Sequence, residues 1–455
     1  MDFIPQNVRF ASAKLSGYSR NRFKIMPTGS SEASAGRQTV FNLPENALID
    51  THSLRLHFTV TTKGGSAGTG PTVVYARLPA DASSLIQRLN VSINGASVQN
   101  QTSEYNSVCR LLKLAGATSR DRDGSVDRAV SHGAISSADE NETASLIISE
   151  WHGILNEAST RFWPTNALGA VQLEMTWADN SVLVPKQATK GFAATDNLTA
   201  DGITAAAQIS YSVSGLYMTC DTIQFGDGMY DQLLRKRLAE EPYVPIAFRD
   251  YFTFSHDGID SDSKSIRFAV SASSIDKIYT SFRNGSYRSV GIRGHTMVDQ
   301  VFSDALCSNY FRFRSYDSQS TRAGNLKMSY SINNTPHPTY DMTVPEALCD
   351  LAYINDKIGP SAPGILQTSI QSFNDGLFVC PLTLCHPSGN MVAQLGYDSR
   401  GVSSQMEFKF SGMAIPVAGA SLVAAQQTAS VSAFTVVQVT SELRLSLGRE
   451  VVVAH

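Results

Sequence analysis

Apolar and polar residues alternate one by one in segment after segment of this chain. A two-residue period is the pattern of a strand with one face in a core and the other in water. Residues 53–60 place Leu54, Leu56, Phe58 and Val60 on one face. Residues 89–95 repeat the pattern and end in Asn94-Gly95, the dipeptide of a two-residue hairpin turn. The same alternation returns at 39–43, 171–177, 208–218, 251–254, 265–270, 327–332, 406–410, 434–439 and 442–447. Helical spacing is confined to short stretches. Residues 103–113 carry Tyr105, Val108, Cys109 and Leu112 on one side. Residues 227–238 carry Met229, Leu233 and Leu234 and end in basic residues that suit the helix dipole. Residues 343–353 hold Pro345 in a first turn, and Ser83-Ser84 could cap a turn over 85–89. Many alternating strands and few helices predict an all-β sandwich architecture. A chain of 455 residues is oversized for one sandwich and comfortable for two of roughly 200 each.

Internal echoes support two halves. Ser92-Ile-Asn-Gly precedes a helical stretch with Cys109, and Ser331-Ile-Asn-Asn precedes one with Cys349. Residues 82–89 also resemble residues 272–279, at a different offset that requires an insertion within 284–323. Chance matching of short strings is the alternative. Pro242 and Pro245, after the 227–238 stretch, mark the natural boundary. The resulting division is an N-terminal basic arm over 1–38, a first sandwich over 39–226, a linker helix over 227–242 and a second sandwich over 243–455.

Composition narrows the function classes. Charged residues make up 17%, against about 25% in ordinary domains. The 37 basic and 40 acidic residues leave a net charge of −3, which argues against wholesale coating of nucleic acid. Apolar content of 42% is too high for a disordered chain, and no apolar run reaches the ~18 residues of a membrane span. The N-terminus lacks the pattern of a secretory signal. The six cysteines are irregularly spaced, which predicts buried thiols in a reducing compartment rather than a disulfide framework or a zinc site. The nine histidines are scattered, and there is no nucleophile elbow, phosphate-binding loop or dinucleotide fingerprint. No catalytic, cofactor-binding or metal-binding set is therefore assigned, and the chain is not expected to be an enzyme. Residues 256–262 resemble a calcium loop only loosely and read as a hairpin loop. Residues 310–316 alternate aromatics with Arg312 and Arg314. That pattern suits either an amphipathic strand or stacking of single-stranded bases. In the first 25 residues Arg9, Lys14, Arg20, Arg22 and Lys24 face one acid, Asp2, among interleaved aromatics. This reads as an extended arm, either solvated or docked on a neighbour, a membrane surface or a genome.

The order of features resembles the double jelly-roll major capsid proteins of icosahedral double-stranded DNA viruses. That lineage includes tailless membrane-containing phages, adenoviruses, virophages, polinton-like viruses and the large DNA viruses of algae, and the look is closest to the polinton-like viruses and virophages. The resemblance rests on a polar arm followed by residues 41–50 and the strand at 53–60. It rests also on 89–95 leading into the Tyr105 helix, and on the 210–220 strand running into 227–238 and then 251–254. It implies two tandem eight-stranded jelly rolls with short helices in the connections. It implies homotrimeric pseudo-hexagonal capsomers that tile a shell and contact penton and minor capsid proteins. Its arm would face inward, toward neighbouring capsomers, an internal membrane or the genome. It implies a place in the virion capsid, assembled inside the host cell, and no cofactor. The long segments 63–72, 120–142, 189–204 and 284–323 become candidates for outward towers. The competing readings are a virion spike or glycan-binding sandwich, which would need exposed aromatic platforms, and a β-rich hydrolase, which would need a carboxylate cleft.

Overall fold

The structure, a computed structural model, describes residues 18–66, 72–79, 81–100, 102–116, 141–189, 208–225, 232, 236–237, 239–240, 243–285, 287–288, 309–317, 325–354, 370–385, 396–400, 405–415, 430–446 and 450–455. The principal strands of the first half are β1 (Tyr18–Ile25), β2 (Gln38–Asn42), β3 (Leu48–Lys63), β4 (Ile86–Ile93), β5 (Ala96–Gln99), β6 (Phe162–Pro164), β7 (Val171–Trp177) and β8 (Ser210–Phe225). They lie in two antiparallel sheets, β1-β8-β3-β6 and β2-β7-β4-β5. The second half supplies β9 (Tyr243–Ile259), β10 (Lys264–Ala269), β11 (Ile275–Asn284), β12 (Lys327–Ile332), β13 (Thr335–Thr343), β14 (Cys380–Thr383), β15 (Gln405–Ser411) and β16 (Val431–Ser446). Its sheets are β9-β16-β11-β14 and β10-β15-β12-β13. Counted from its own first strand, each half reads 1-8-3-6 in one sheet and 2-7-4-5 in the other. That order is a jelly roll, present twice. A further strand, β17 (Val451–Ala454), pairs with β16 at the C-terminus.

The alternation does what its period requires. Leu54, Leu56, Phe58 and Val60 of β3 are buried, and Arg55, His57 and Thr59 between them turn outward. Strand β11 departs from this: nearly all its residues are buried on both faces, including Asp276, Lys277 and Arg283.

The hairpin–helix echo is a true repeat. Ile93 pairs with Ala96 around Asn94-Gly95, and Ile332 pairs with Thr335 around Asn333-Asn334. All four turn residues have positive φ, the mirror-image turn that matches strand twist in two-residue hairpins. Helix α1 (Tyr105–Gly116) follows the first hairpin and α2 (Val344–Ile354) the second. Asn94 and Asn333 lie 239 positions apart, as do the helix starts Tyr105 and Val344. The cysteine pairing Cys109/Cys349 is thus off by one. The echo of 82–89 with 272–279 fails, because the first segment enters the fourth strand of its half and the second enters the third.

Two expectations change. Residues 86–89 are strand, not helix, since Leu89 and Val91 continue the inward face that pairs with β7; only Ala82–Leu85 forms a 3-10 turn. Residues 18–25, expected in an arm, form β1 and pair with β8 over eight positions. Of the expected linker helix, Gln232, Lys236, Arg237, Ala239 and Glu240 are helical, and its other residues lie outside the described ones.

Two hydrophobic clusters fill the halves, and each borrows from the other. The first joins Phe41, Phe58, Trp163 and Trp177 to Phe248 and Leu443 of the second half. The second joins Phe282, Phe408 and Phe434 to Val108, Leu111 and Ala115 of α1.

Candidate functional site

The seam between the jelly rolls is built around the start of α1. Helix α1 has two working faces: Tyr105 and Cys109 enter its own core, while Val108, Leu111 and Ala115 enter that of the second half. Glu104, just before the helix, is buried and meets two arginines from the second half. Arg283 donates from Nη1 to its Oε2 at 2.8 Å, and Arg288 donates from Nη2 to its Oε1 at 2.9 Å. The Ser107 and Tyr287 hydroxyls donate to the same carboxylate at 3.0 and 3.2 Å. Burial pushes the Glu104 carboxyl up, but the Arg283 charge and the hydrogen bonds from Arg283, Arg288 and Ser107 outweigh it and bring it to about 2. The Arg283 side chain is 0% exposed. Its guanidinium lies 3.8 Å from the Tyr287 ring centroid and 4.7 Å from that of Phe434, so aromatic faces cover the cation where hydrogen bonds do not.

A second set of contacts continues the seam. The segment before β6 completes the edge of β9: Ser159 N–H donates to the Ala247 carbonyl at 2.7 Å, and Arg249 N–H donates to the Glu157 carbonyl at 3.2 Å. Covering the edge removes a row of unpaired backbone groups. Thr102 Oγ1 donates to the Tyr251 carbonyl at 2.8 Å, and the Tyr251 hydroxyl donates to Glu157 at 2.8 Å. Burial raises the Glu157 carboxyl, and its contacts with His152, Gly153 N–H and Arg249 bring it net below its ordinary range.

Of the basic residues singled out from the sequence, Arg20, Arg22 and Lys24 project from β1, while Arg9 and Lys14 lie outside the described residues. Arg20 and Arg22 both reach Asp221 of β8, at 2.5 and 2.7 Å. Arg161 pairs with Asp50 of β3 at 2.7 Å. The hydrogen bond from Arg22 is the main cause that holds the Asp221 carboxyl down. Lys24 Nζ sits 4.2 Å from the Tyr217 ring, which stacks on His57. Burial lowers the His57 imidazole, and the charges of Arg55, Arg22 and Lys24 lower it further. Three arginines, Arg20, Arg22 and Arg161, thus gather around two largely buried carboxylates, Asp50 and Asp221. These side chains explain why 18–25 can pair as an edge strand.

Helix α2 shares the hairpin–helix topology of α1, and at its start the Glu346 carboxylate reaches back to accept from the Thr343 N–H and hydroxyl, both at 2.7 Å, as the Glu of a capping box does. Val344, Ala347 and Leu351 enter its own core. Its other side is exposed, with Glu346, Cys349 and Tyr353 in line.

Other sequence expectations resolve as follows. Tyr310, Phe311 and Phe313 are core residues beside Tyr287, Phe282 and Leu377, so the 310–316 stretch is no base-stacking platform. Cys109, Cys220, Cys380 and Cys385 are buried free thiols, Cys349 is exposed, and Cys307 lies outside the described residues. Trp151, Trp163 and Trp177 are all buried, so no tryptophan offers a glycan platform. The tower candidates lie for the most part outside the described residues, at 67–71, 120–140, 190–204, 289–308 and 318–323. Glu104, Arg283, Arg288 and Glu157 were not anticipated. The 275–284 run mixes apolar residues with Asp276, Lys277, Thr280 and Ser281, so nothing in the sequence marks Arg283 as buried.

No protein-family model matches the sequence, and a search of curated proteins finds no match. Solved structures do match. A quasi-atomic model of the PBCV-1 virus capsid aligns over 96% of this chain and 97% of its own, with a TM-score of 0.59 at 14% sequence identity. The Faustovirus major capsid protein covers 94% of this chain and 91% of its own, with a TM-score of 0.54 at 9% identity. A cryo-EM structure of the Sputnik virophage covers 96% and 88%, with a TM-score of 0.51 at 11% identity. The double jelly-roll fold is shared with these structures over more than nine-tenths of this chain.

Proposed function

We propose that this chain is a structural capsid protein whose two jelly rolls are the wall unit of an icosahedral shell. The observation that carries the reading is the match of the whole architecture: both jelly rolls, in one order, over nearly the full length of viral capsid proteins. Buried tryptophans speak against the glycan-binding alternative. Residues 39–226 and 243–455 are the two wall units, with the first extended back to Tyr18 by β1. Copies associate as homotrimers of pseudo-hexagonal outline and meet penton and minor capsid proteins in the shell. The residues before β1, with Arg9 and Lys14, point inward toward a membrane, the genome or neighbouring capsomers. The role is one of assembly, without catalysis or cofactor. A low charged fraction suits it, because crowded copies of one sign repel. Expression of the full chain followed by light scattering and negative-stain microscopy tests the proposal. Trimers that form hexagonal arrays or shells are expected; a stable monomer that forms no larger species up to high concentration would overturn it.

A further inference from the structure

We infer that β17 is a strap across the two jelly rolls, held shut by one proton shared between Asp250 and His455. The device lies within a single chain and does not depend on assembly.

Strand pairing fixes what the strap can reach. β17 runs antiparallel to β16, with Val451 opposite Leu445 and Val453 opposite Leu443. Alternation puts Val451, Val453 and His455 on one face. The two valines pack on the first hydrophobic cluster, which joins Phe248, Leu443 and Leu445 of the second half to the core of the first. The strap therefore rests on both halves. Two positions beyond Val453 the same face meets a polar spot. His455 Nδ1 lies 3.0 Å from the Ser441 hydroxyl and 3.8 Å from Asp250 Oδ2. Its ring stands edge-on to that of Phe252, at 5.8 Å between centroids.

Asp250 needs that neighbour. Its side chain is 0% exposed. Oδ1 accepts from the Tyr251 N–H at 2.9 Å, while Oδ2 accepts no hydrogen bond among the described residues. A buried carboxylate with one oxygen unsatisfied is strongly disfavoured unless a cation or a proton answers it. The other charged groups of the surrounding strands are turned elsewhere. Arg249, on the opposite face of β9, pairs with Glu157 at 3.8 Å, and the Tyr251 hydroxyl donates to the same carboxylate. Asp276 of β11 accepts from Ser274 and Thr440, and Lys277 donates to the Ile354 carbonyl. Glu442 and Arg444 of β16 pair with each other. Among the described residues, His455 is the titratable group that faces Oδ2.

Burial pushes the Asp250 carboxyl up to about 7 and lowers the His455 imidazole. Either group alone would make the strap sensitive to pH. A buried carboxyl without the histidine loosens the closed state as pH climbs from about 3.9, where a solvated aspartate ionises, to about 7. A buried imidazole without the carboxyl loosens it as pH falls below about 6.5, where a solvated histidine gains its proton. Together the two effects oppose each other. Near pH 6 the closed pair keeps one proton, on Asp250 or on His455. When the strap opens at that pH, His455 keeps the proton in water and Asp250 ionises. Opening then releases almost no proton, so the strap holds where either group alone would let it go.

Hydrogen exchange of the full chain at pH 5.5 and 7.5 tests this. Mass spectrometry reads the peptides over 446–455, corrected for intrinsic amide rates, so that protection reports local opening of the strap. Asp250→Asn leaves the lowered imidazole by itself, and protection should be about tenfold poorer at pH 5.5 than at 7.5. His455→Phe keeps a ring and leaves the raised carboxyl by itself, and protection should be at least about tenfold poorer at pH 7.5 than at 5.5. The wild type should change less than either variant. Peptides over 431–440 of β16 are the folded reference and should stay protected throughout; if one variant loses that protection, the slope of the other decides. A slope of the same sign in both variants, a variant slope no steeper than that of the wild type, or a strap already unprotected in the wild type would overturn the inference.

Discussion

Removing the charge of Glu104 should loosen the two jelly rolls from each other. In the folded chain its carboxyl lies at about 2, against an ordinary 4.5. That displacement of roughly 2.5 pH units, at about 1.4 kcal/mol for each, corresponds to about 3 kcal/mol. The side chain is 5% exposed, so solvent screening does not reduce the figure much. The isosteric change Glu104→Gln keeps the shape and strands Arg283 as a buried cation without its counter-charge. Breaking one side of a buried pair typically costs about 3–5 kcal/mol, which agrees. Unfolding entropy of about 2.1 cal/mol/K per residue gives about 1 kcal/mol/K for the whole chain. A loss of 3 kcal/mol then lowers the melting temperature by about 3 °C if the chain melts as one unit. It lowers it by about 6 °C if each jelly roll melts alone. Scanning calorimetry of both proteins at pH 7 reads this directly. The pH dependence has a fixed sign. A carboxyl held below its unfolded value contributes fully above about pH 4.5, and the contribution is lost as the pH falls toward 2. The gap between wild type and Glu104→Gln should therefore close in acid. A gap that stays constant from pH 7 to 2.5, or one below about 0.5 kcal/mol at pH 7, would refute the assignment of Glu104 as the seam's anchor.

Asn333→Ala should cost about 1–2 kcal/mol by chemical denaturation, because alanine resists the left-handed backbone there and loses the bonds to Tyr397 and Gln405. Thr343→Ala should cost about 0.5–1 kcal/mol by removing the hydroxyl's hydrogen bond to Glu346 at the start of α2, with no change in oligomer size by light scattering. In the native protein with Cys307→Ser, a thiol reagent should modify Cys349 quickly. It should reach Cys109, Cys220 and Cys380, whose thiols burial pushes up to about 12, only on unfolding. Fast modification of more than one thiol per chain would contradict the burial described.

The alternation of β3 and the Asn94-Gly95 turn made the sandwich class readable, because both signals are local. The sequence pattern shows the long strand β16 only as two pieces, 434–439 and 442–447. Its first part is buried on both faces and so carries no alternation to follow. Strand β1 does not stand out in the sequence as a strand, although Arg20, Arg22 and Lys24 stand at i, i+2 and i+4. Its opposite face is barely buried, so the apolar half of the pattern is absent. The seam was not readable at all. Glu104 and Arg283 are separated by 179 positions, and the pairing exists only once two sandwiches are folded side by side. In one sequence a buried ion pair of this kind looks like two ordinary surface charges.

Electron microscopy of the purified chain, with two-dimensional averaging of single particles, tests the central claim most directly. The account predicts six-lobed particles of three copies, two lobes to each chain. Two-lobed single copies, or rings whose lobes number other than two per chain, would contradict it.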